Sequence, residues 1–539
     1  MEFTPPAVKV RQTPTKGRAL VSAAALTPGA TILTTTPLLL LPSLPHLASF
    51  CTNCLKPGSP RACTRCRSAY YCGAACQRAH WRSVHAAECK PLALVRDAGR
   101  GDVPTPVRLL MQALLKGEIG SALEPLEGNV QALRGQEGGK RWRDIEVMAL
   151  GACGCSGVGT TEEQVRRACE LMCKIQTNAF NWSDNDGEET GVFLEPTLAM
   201  INHSCVPNAE VQVFGRNIVL RASTSIKAGD EIEISYTDYT LPKSKRSQAL
   251  APYQFECHCP RCRDDLNVYQ ACTMYPSLNL NRLSLAPEVS EVRQHPTVTE
   301  RQKSAAANAH SEKALADMES STVPWDERSR RLALSNGYRC CKVLVENELW
   351  AMAPLPRVVA DISSYYAQEQ NWTLALTTAC LTATACDPYR YPPPFHSARV
   401  QGLFRIAKLL SNTAADTNSL SESAGNRVSK TSLHARVQET LRDIDQVSLC
   451  QMLIMVVLRL IPKGFAREWG LSVDAQDMLS DIGQLPGREK ELSLINAWAA
   501  NPETDQSQAF FKYAVVDPVH TLAGLGKAVL DNDFKESTG

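Results

Sequence analysis

The sequence predicts a multidomain α+β protein. A β-rich unit comes in two pieces, a metal-binding segment and helices separate them, and a large α-helical domain follows. Three observations carry this reading. The chain has 539 residues, whereas a single core stops growing near ~250–300 residues. Short runs rich in alternating and β-branched residues lie before residue 48 and again between 191 and 236, with apolar residues at helical spacing between and after them. Two cysteine clusters with metal-ligand spacing sit beside the β segments, one interrupting and one following them.

Taken in order, Val8-x-Val10 and Lys16-Gly17-Arg18-Ala19-Leu20-Val21 read as strand, turn and strand. Pro28-Gly29 marks a turn, and Thr31-Ile32-Leu33 resumes the β pattern. The apolar run from Ile32 to Leu47 holds Pro37, Pro42 and Pro45 and is too short to span a bilayer, so it reads as strand and loop. Met1 to Arg18 lacks the apolar stretch of a secretory signal. Then come Cys51-x2-Cys54, Cys63-x2-Cys66, Cys72-x3-Cys76 and His85-x3-Cys89: seven thiols and one imidazole. Zinc takes four sulfur or imidazole ligands in a tetrahedron, so eight ligands make two closed sites. Closed sites do no chemistry; they supply ~10–16 kcal/mol of folding free energy each in isolated fingers.

Residues 105 to 180 read as largely helical, with Val107, Leu110, Met111 and Leu114, then Val165, Cys169, Met172 and Ile175, recurring at helix spacing. Asp184 to Glu189 reads as an acidic surface loop. Strands return at Ala209 to Val213, Asn217 to Ala222 and Glu231 to Tyr236, with turns at Gly215 and Ala228-Gly229-Asp230. The second cluster is Cys257-x-Cys259-x2-Cys262, with Cys205 as an upstream candidate. Beyond residue 300, Leu334, Tyr338, Cys341, Val345 and Leu349 form one helical stripe, and Val400, Leu403, Ala407 and Leu410 another. Val447 to Ile461 is apolar on nearly all sides, which implies a buried helix. Residues 411 to 432, rich in Ser, Asn, Thr and Asp, read as a flexible connection, and helix pairs around 355–385 and 395–410 suggest a tetratricopeptide-like array.

A formal net charge of +1 gives no global field favouring nucleic acid or an anionic membrane. Eleven of the 21 cysteines fall in the clusters. That usage suits a reducing compartment rather than a disulfide framework. The other ten, among them Cys153, Cys155 and the adjacent Cys340 and Cys341, read as small buried hydrophobes.

With Tyr70-Tyr71 before Cys72 and Trp81 before His85, the first cluster resembles a MYND zinc finger. The resemblance implies interleaved sites: Cys51, Cys54, Cys72 and Cys76 around one zinc, and Cys63, Cys66, His85 and Cys89 around the other. Arg61, Arg65, Arg67, Arg78, Arg82 and Lys90 make the finger basic. In that family the surface docks proline-rich peptides or DNA; a solvated basic face is the plainer account. Asn202-His203-Ser204-Cys205-x-Pro207-Asn208, Gly229 to Tyr236, and Phe255-Glu256-Cys257-His258-Cys259-x2-Cys262 resemble the SET methyltransferase signature and its post-SET zinc site. A MYND finger inside a SET domain, followed by helices, is similar to the SET and MYND domain protein lysine methyltransferase family. The likeness covers 16–90 and 173–262 and is architectural beyond 300.

It implies a β-rich SET fold with a pseudoknot, divided as follows: 1–48 as the first part of SET, 49–90 as the finger, 91–190 as a helical insert, 191–240 as the second part of SET, 241–265 as the post-SET segment and 266–539 as the helical domain. It also implies roles. Lys16, Gly17 and Arg18 match the loop that holds S-adenosylmethionine, with Lys16 toward its carboxylate; Asn202, His203, Asn178, Asn129 and Tyr236 match further cofactor positions, and Phe255 would stack on adenine. Cys205, Cys257, Cys259 and Cys262 would hold a third zinc. The Tyr236 hydroxyl would orient the substrate amine, with Phe180 and Tyr253 lining an aromatic channel around the lysine stem.

Plainer readings stand beside these. Tyr236 alternates with Ile234 and Ile232 as a core strand tyrosine would, Phe180 ends a helical stripe, and Asn129 reads equally as a surface residue. The chain also departs from the family: Ala19 stands where a second glycine is usual, which threatens the cofactor loop if that position needs a positive φ, and Phe193 stands where a small residue belongs. The resulting expectation is a monomeric protein-lysine N-methyltransferase with three zincs, found in cytoplasm and nucleus, acting on a histone or non-histone protein. The alternative is a non-catalytic adaptor recruiting proline-rich partners. A zinc-dependent nucleic-acid binder is opposed by the near-neutral charge.

Overall fold

The computed structural model describes residues 8–13, 16–135, 139–183, 189–275, 285, 289–320, 329–420 and 433–534. Two strands open the chain, β1 (Val8–Thr13) and β2 (Gly17–Ser22), paired antiparallel with Arg11 opposite Ala19. Thr13 shapes their turn: its Oγ1 donates to the Gly17 carbonyl at 2.9 Å and accepts from the Lys16 amide at 3.2 Å. β3 (Thr31–Thr35) and the wholly buried β4 (Leu39–Pro42) follow. The finger contributes the short β5 (Arg61–Ala62) and β6 (Tyr70–Tyr71). After the helical insert come β7 (Phe180–Ser183), β8 (Glu189–Leu194), β9 (Asn202–His203), β10 (Ala209–Phe214), β11 (Asn217–Ala222) and β12 (Glu233–Ile234).

Pieces from before and after the finger interleave. β3 pairs with β11, which pairs with β10; β4 pairs with β8, which pairs with β7; and β9 and β12 run parallel. Leu20, Ile32 and Leu40 from the first piece share one core with Phe193, Ile201, Leu220, Ile232 and Ile234 from the second. Hydrophobic burial in that core joins segments some 200 residues apart in sequence.

The helices Thr105–Leu115, Lys140–Ser156 and Glu162–Asn178 pack on the finger and on Leu39 and Leu41 of β4 in a second core. A Thr161/Gln164 capping box starts the last of them. The third core is the helical domain, where Leu355–Gln368 pairs with Trp372–Leu381 and Ser397–Leu420 with Gln446–Leu460. Phe214 at the end of β10 stacks on Phe465 (centroids 5.4 Å apart) and meets Trp469 edge-on, fixing the β unit to this domain.

Several sequence expectations change. The segment 91–190 ends in β7 and the start of β8, not in helix: these two strands form a hairpin whose β8 pairs with β4 in one three-stranded sheet. Residues 411–420 continue the helix begun at Ser397 instead of starting a loop, and 421–432 lie outside the described residues. The stripe from Leu334 to Leu349 is broken at Cys341, where Arg330–Cys340 gives way to the short Lys342–Glu346, although Leu334, Tyr338, Cys341 and Leu349 are all buried. Only Glu233 and Ile234 of the run to Tyr236 form a regular strand. Of the acidic stretch 184–189, only Glu189 is described, and it opens β8.

Candidate active site and metal centres

β9 and β12 lie side by side, Asn202 opposite Glu233 and His203 opposite Ile234. Asn208 ties the same two segments: its Nδ2 donates to the Glu231 carbonyl and its Oδ1 accepts from the Glu233 amide, both at 2.8 Å. The Asn202 side chain then reaches the first piece of the β unit. Its Nδ2 donates to the Arg18 carbonyl at 2.9 Å and to Glu231 Oε1 at 2.8 Å. Lys16 Nζ lies 3.1 Å from Glu231 Oε2 and 2.5 Å from Glu233 Oε1. Partial burial pulls the Lys16 ammonium down, but the two carboxylates outweigh it and hold its pKa above the usual value. These carboxylate partners are what sequence reasoning missed.

Gly17 sits at φ +70°, and a Cβ built there would meet no atom within 4 Å. The glycine is required by its backbone, and open space adjoins it. Ala19 corrects an expectation. It lies in β2, fully buried, and is not among the residues with positive φ. The missing second glycine therefore imposes no backbone strain.

Tyr236, Tyr253, Phe255 and His203 form one aromatic group. The Tyr236 ring is 4.9 Å from Tyr253, 5.3 Å from His203 and 6.3 Å from Phe255. The Tyr236 hydroxyl donates to the Ile201 carbonyl, and its amide donates to His203 Nδ1 at 3.0 Å. Burial pushes the Tyr236 phenol well above its ordinary value, so at neutral pH it is a hydrogen-bond donor and not a base. Burial lowers His203 to about 4; with Nδ1 accepting, the neutral ring carries its proton on Nε2, 3.2 Å from Cys205 Sγ. Phe255 keeps 40% of its surface exposed, which leaves a ring available to a ligand.

The insert touches the group on the Tyr253 side. Asn129, at φ +51°, donates through Nδ2 to the Tyr253 carbonyl at 3.1 Å. Asn178 donates to the Glu127 and Lys174 carbonyls, both at 2.7 Å, and so braces the loop that presents Asn129. Phe180 is placed differently. It faces Phe193 across β7 and β8, the rings stacked at 5.1 Å, and among the described residues makes no ring contact with Tyr236, Tyr253 or Phe255. Phe193 fills a 1%-exposed core position through that stack.

Three sets of four donors converge, each with ligand atoms within 4.8 Å of one another: Cys51, Cys54, Cys72 and Cys76; Cys63, Cys66, His85 and Cys89; and Cys205, Cys257, Cys259 and Cys262. All-thiolate and three-thiolate-plus-imidazole sets suit zinc. Behind His85 lies a polar node that the sequence reading did not name. Fully buried Glu88 Oε1 is 2.9 Å from His85 Nδ1, and its carboxylate accepts from Arg108 (Nε 3.0 Å, a terminal nitrogen 2.6 Å) and Gln112 (2.9 Å). Arg108 also donates to the Ser68 carbonyl. Such a carboxylate fixes the tautomer of a ligating histidine. The i, i+3 spacing of His85 and Glu88 was the available signal. At the third set, Arg246 lies 3.5 Å from Cys262 Sγ. Arg61, Arg65, Arg67, Arg78, Arg82, Lys90 and Trp81 are all exposed on the finger.

Residues 51–89 match the MYND finger family. The chain is 32% identical over 223 residues to SET domain and MYND-type zinc finger protein 6 of Schizosaccharomyces pombe, covering 41% of this chain and 44% of that one. The chain is similar to SET and MYND proteins over less than half of its length. Other relatives include histone-lysine N-methyltransferase ASHR1 of Arabidopsis thaliana (29% identity, 47% of this chain, 54% of the relative) and histone-lysine N-methyltransferase SMYD3 of Homo sapiens (29%, 46% and 59%). The chain spans about half the length of the curated relatives it matches. It also aligns with a crystal structure of the SET domain of LSMT bound to lysine and AdoHcy, at 15% identity over 66% of this chain and 91% of that one. The TM-score of 0.22 makes that likeness too loose to bear on fold or function.

Proposed function

We propose that the protein is a protein-lysine N-methyltransferase that uses S-adenosylmethionine and acts on a histone or non-histone protein. One contact carries the reading: the hydrogen bond from Asn202 Nδ2 to the Arg18 carbonyl, which makes a single site of two segments distant in the chain. The residues around it fit the cofactor. Open space adjoins the Gly17 backbone, Lys16, here paired with Glu231 and Glu233, stands beside it as the cation for the cofactor carboxylate, and the Phe255 ring is exposed beside His203. The chain's similarity to two histone-lysine N-methyltransferases supports the same class.

S-adenosylmethionine supplies, when bound, a methyl group on a sulfonium. The chain's own residues then orient and desolvate the acceptor. Tyr236, a neutral phenol whose proton goes to the Ile201 carbonyl, offers its remaining oxygen lone pair to a lysine N–H and is the orienting group for that amine. Tyr253 supplies an aromatic face for the lysine stem and for a methylated ammonium, while Phe255 is kept for the adenine. Phe180 stacks on Phe193 and is not part of this wall. Burial disfavours a charged lysine there, which frees the amine lone pair. Asn129 and Asn178 hold the Tyr253 side in place. Three zincs are part of the proposal: two hold the finger, and one, on Cys205, Cys257, Cys259 and Cys262, clamps the segment that carries Tyr253 and Phe255. The exposed basic finger with Trp81 is proposed to dock a proline-rich partner; nuclear and cytoplasmic residence and a monomeric state belong to the same proposal.

The adaptor alternative rested on Ala19, and its extended, unstrained place in β2 removes that support. Calorimetric titration of the zinc-loaded chain with S-adenosylmethionine should give measurable binding. Labelled cofactor with a proteome extract should then mark protein lysines. Tyr236→Phe should lower the transfer rate by about 10²-fold, the usual effect of deleting one aimed donor, while keeping cofactor binding. A chain that binds no cofactor is the adaptor.

A further inference from the structure

Within the helical domain, away from the aromatic group around Tyr236, lies a second aromatic chamber. It is a cavity of ≈ 350 Å³ whose walls include Tyr269, His295, Trp350 and Tyr389. The walls are fixed. Tyr269 and Trp350 are 1% and 3% exposed, Tyr269 stacks on His295 at 4.0 Å and 7°, and Tyr389 meets Tyr269 at 4.7 Å. The Tyr269 hydroxyl accepts the Ala351 amide at 3.1 Å, so the ring cannot swing out without losing that bond. The lining also holds two carboxylates, Glu291 and Glu348.

We propose that this cavity binds an alkylammonium group, and that its ligand is a methylated lysine side chain of a peptide. The chain itself displays the chemistry. Lys527 enters the cavity wall with Nζ 5.2 Å from the Trp350 ring centroid and forms an ion pair with Glu348. Glu348 also accepts from Trp350 Nε1 at 2.7 Å, so one carboxylate positions both the cation and the ring beneath it. Burial pushes the Glu348 carboxyl up, but the bonds from Lys527 and Trp350 outweigh it and keep it below its ordinary value, ionised at neutral pH. Burial keeps His295 and His520 below their usual value, so Lys527 is the one lasting positive charge among the lining residues. Aromatic faces with a rim carboxylate attract ammonium groups. They favour methylated ones because a methylated head is less strongly hydrated and spreads its charge over apolar surface. Lys527 thus stands as an internal occupant that an external methylammonium displaces. The inference is independent of methyl transfer and of S-adenosylmethionine binding.

The full-length, zinc-loaded chain is titrated by calorimetry with tetramethylammonium chloride, with a short peptide carrying trimethyl-lysine, and with the same peptide unmethylated. The trimethyl-lysine peptide should bind at least about 5-fold more tightly than its unmethylated form, the range of a desolvated cation–π contact, and tetramethylammonium should compete with it. Lys527→Ala, which vacates the wall, should tighten binding, and Glu348→Gln should weaken it, with melting temperatures reported for both to confirm folding. Binding absent from both the native chain and Lys527→Ala overturns the site. Binding indifferent to both substitutions but lost in Tyr236→Phe also overturns it, because the peptide would then occupy the other aromatic group. Tetramethylammonium binding without peptide binding overturns the peptide assignment in favour of a free quaternary amine.

Discussion

Glu88 has no exposed surface, and four nitrogens from His85, Arg108 and Gln112 converge on it. A buried carboxylate of this kind tolerates loss of its charge poorly because Arg108, itself 1% exposed, stays behind. Glu88→Ala should destabilise the protein by about 3–5 kcal/mol in urea unfolding, and the double substitution Glu88→Met, Arg108→Leu should recover much of that loss. The node was only half legible in the sequence. His85 and Glu88 share one helical face, so their contact follows from spacing, whereas Arg108 lies 20 residues on, and only folding brings it in. The same contrast holds at Lys16. Its cationic role was readable from the motif, but its carboxylate partners lie 215 and 217 residues away and left no local signal. Ala19 shows the reverse: a motif comparison raised a strain that the β1–β2 register removes.

Among elements, the β7–β8 hairpin teaches most. Phe180 to Leu194 carries strand residues, yet it follows a strongly amphipathic helix, and the sequence reading ran helix too far. The hairpin is packed tightly where β8 crosses β4. A Cβ at Gly191 would lie 2.8 Å from both the Leu41 carbonyl oxygen and a Trp182 ring carbon. Gly191→Ala should therefore cost about 1–3 kcal/mol in urea unfolding, the range for overpacking. In the helical domain, a Cβ at Gly526 would lie 2.5 Å from the Thr377 carbonyl oxygen, where Asp517–Phe534 meets Trp372–Leu381. Gly526→Ala should lower the melting temperature too, because backbone and not a flexible side chain blocks the space. Helix existence was legible here from periodicity. The break at Cys341 was not, because the apolar stripe runs on through it and burial resumes at Leu344 and Leu349.

At the scale of the molecule, cysteine spacing marked the two clusters and the family resemblance divided them into three donor sets, each of which the chain brings together from its parts. Elemental analysis of protein purified under reducing conditions should find three zincs per chain, and Cys257→Ser should leave two. The set with Cys205 joins the second β piece to the segment bearing Tyr253 and Phe255, so that variant should also weaken S-adenosylmethionine binding while the finger stays folded. No helix among the described residues is long and apolar enough to cross a membrane.

The tip of the β10–β11 hairpin has a last implication. Arg216 donates to the Asn53 carbonyl in the finger, Asn217 bonds Glu468 in the helical domain, and a side chain at Gly215 would meet carbonyls of both Cys54 and Glu468. Two loops of tight backbone thus grip one turn from opposite sides, like a tenon in a mortise. Deleting the finger as a cassette would leave that joint open on one side, so a finger-less version should be loosened at residues 465–469, far along the chain from the cut.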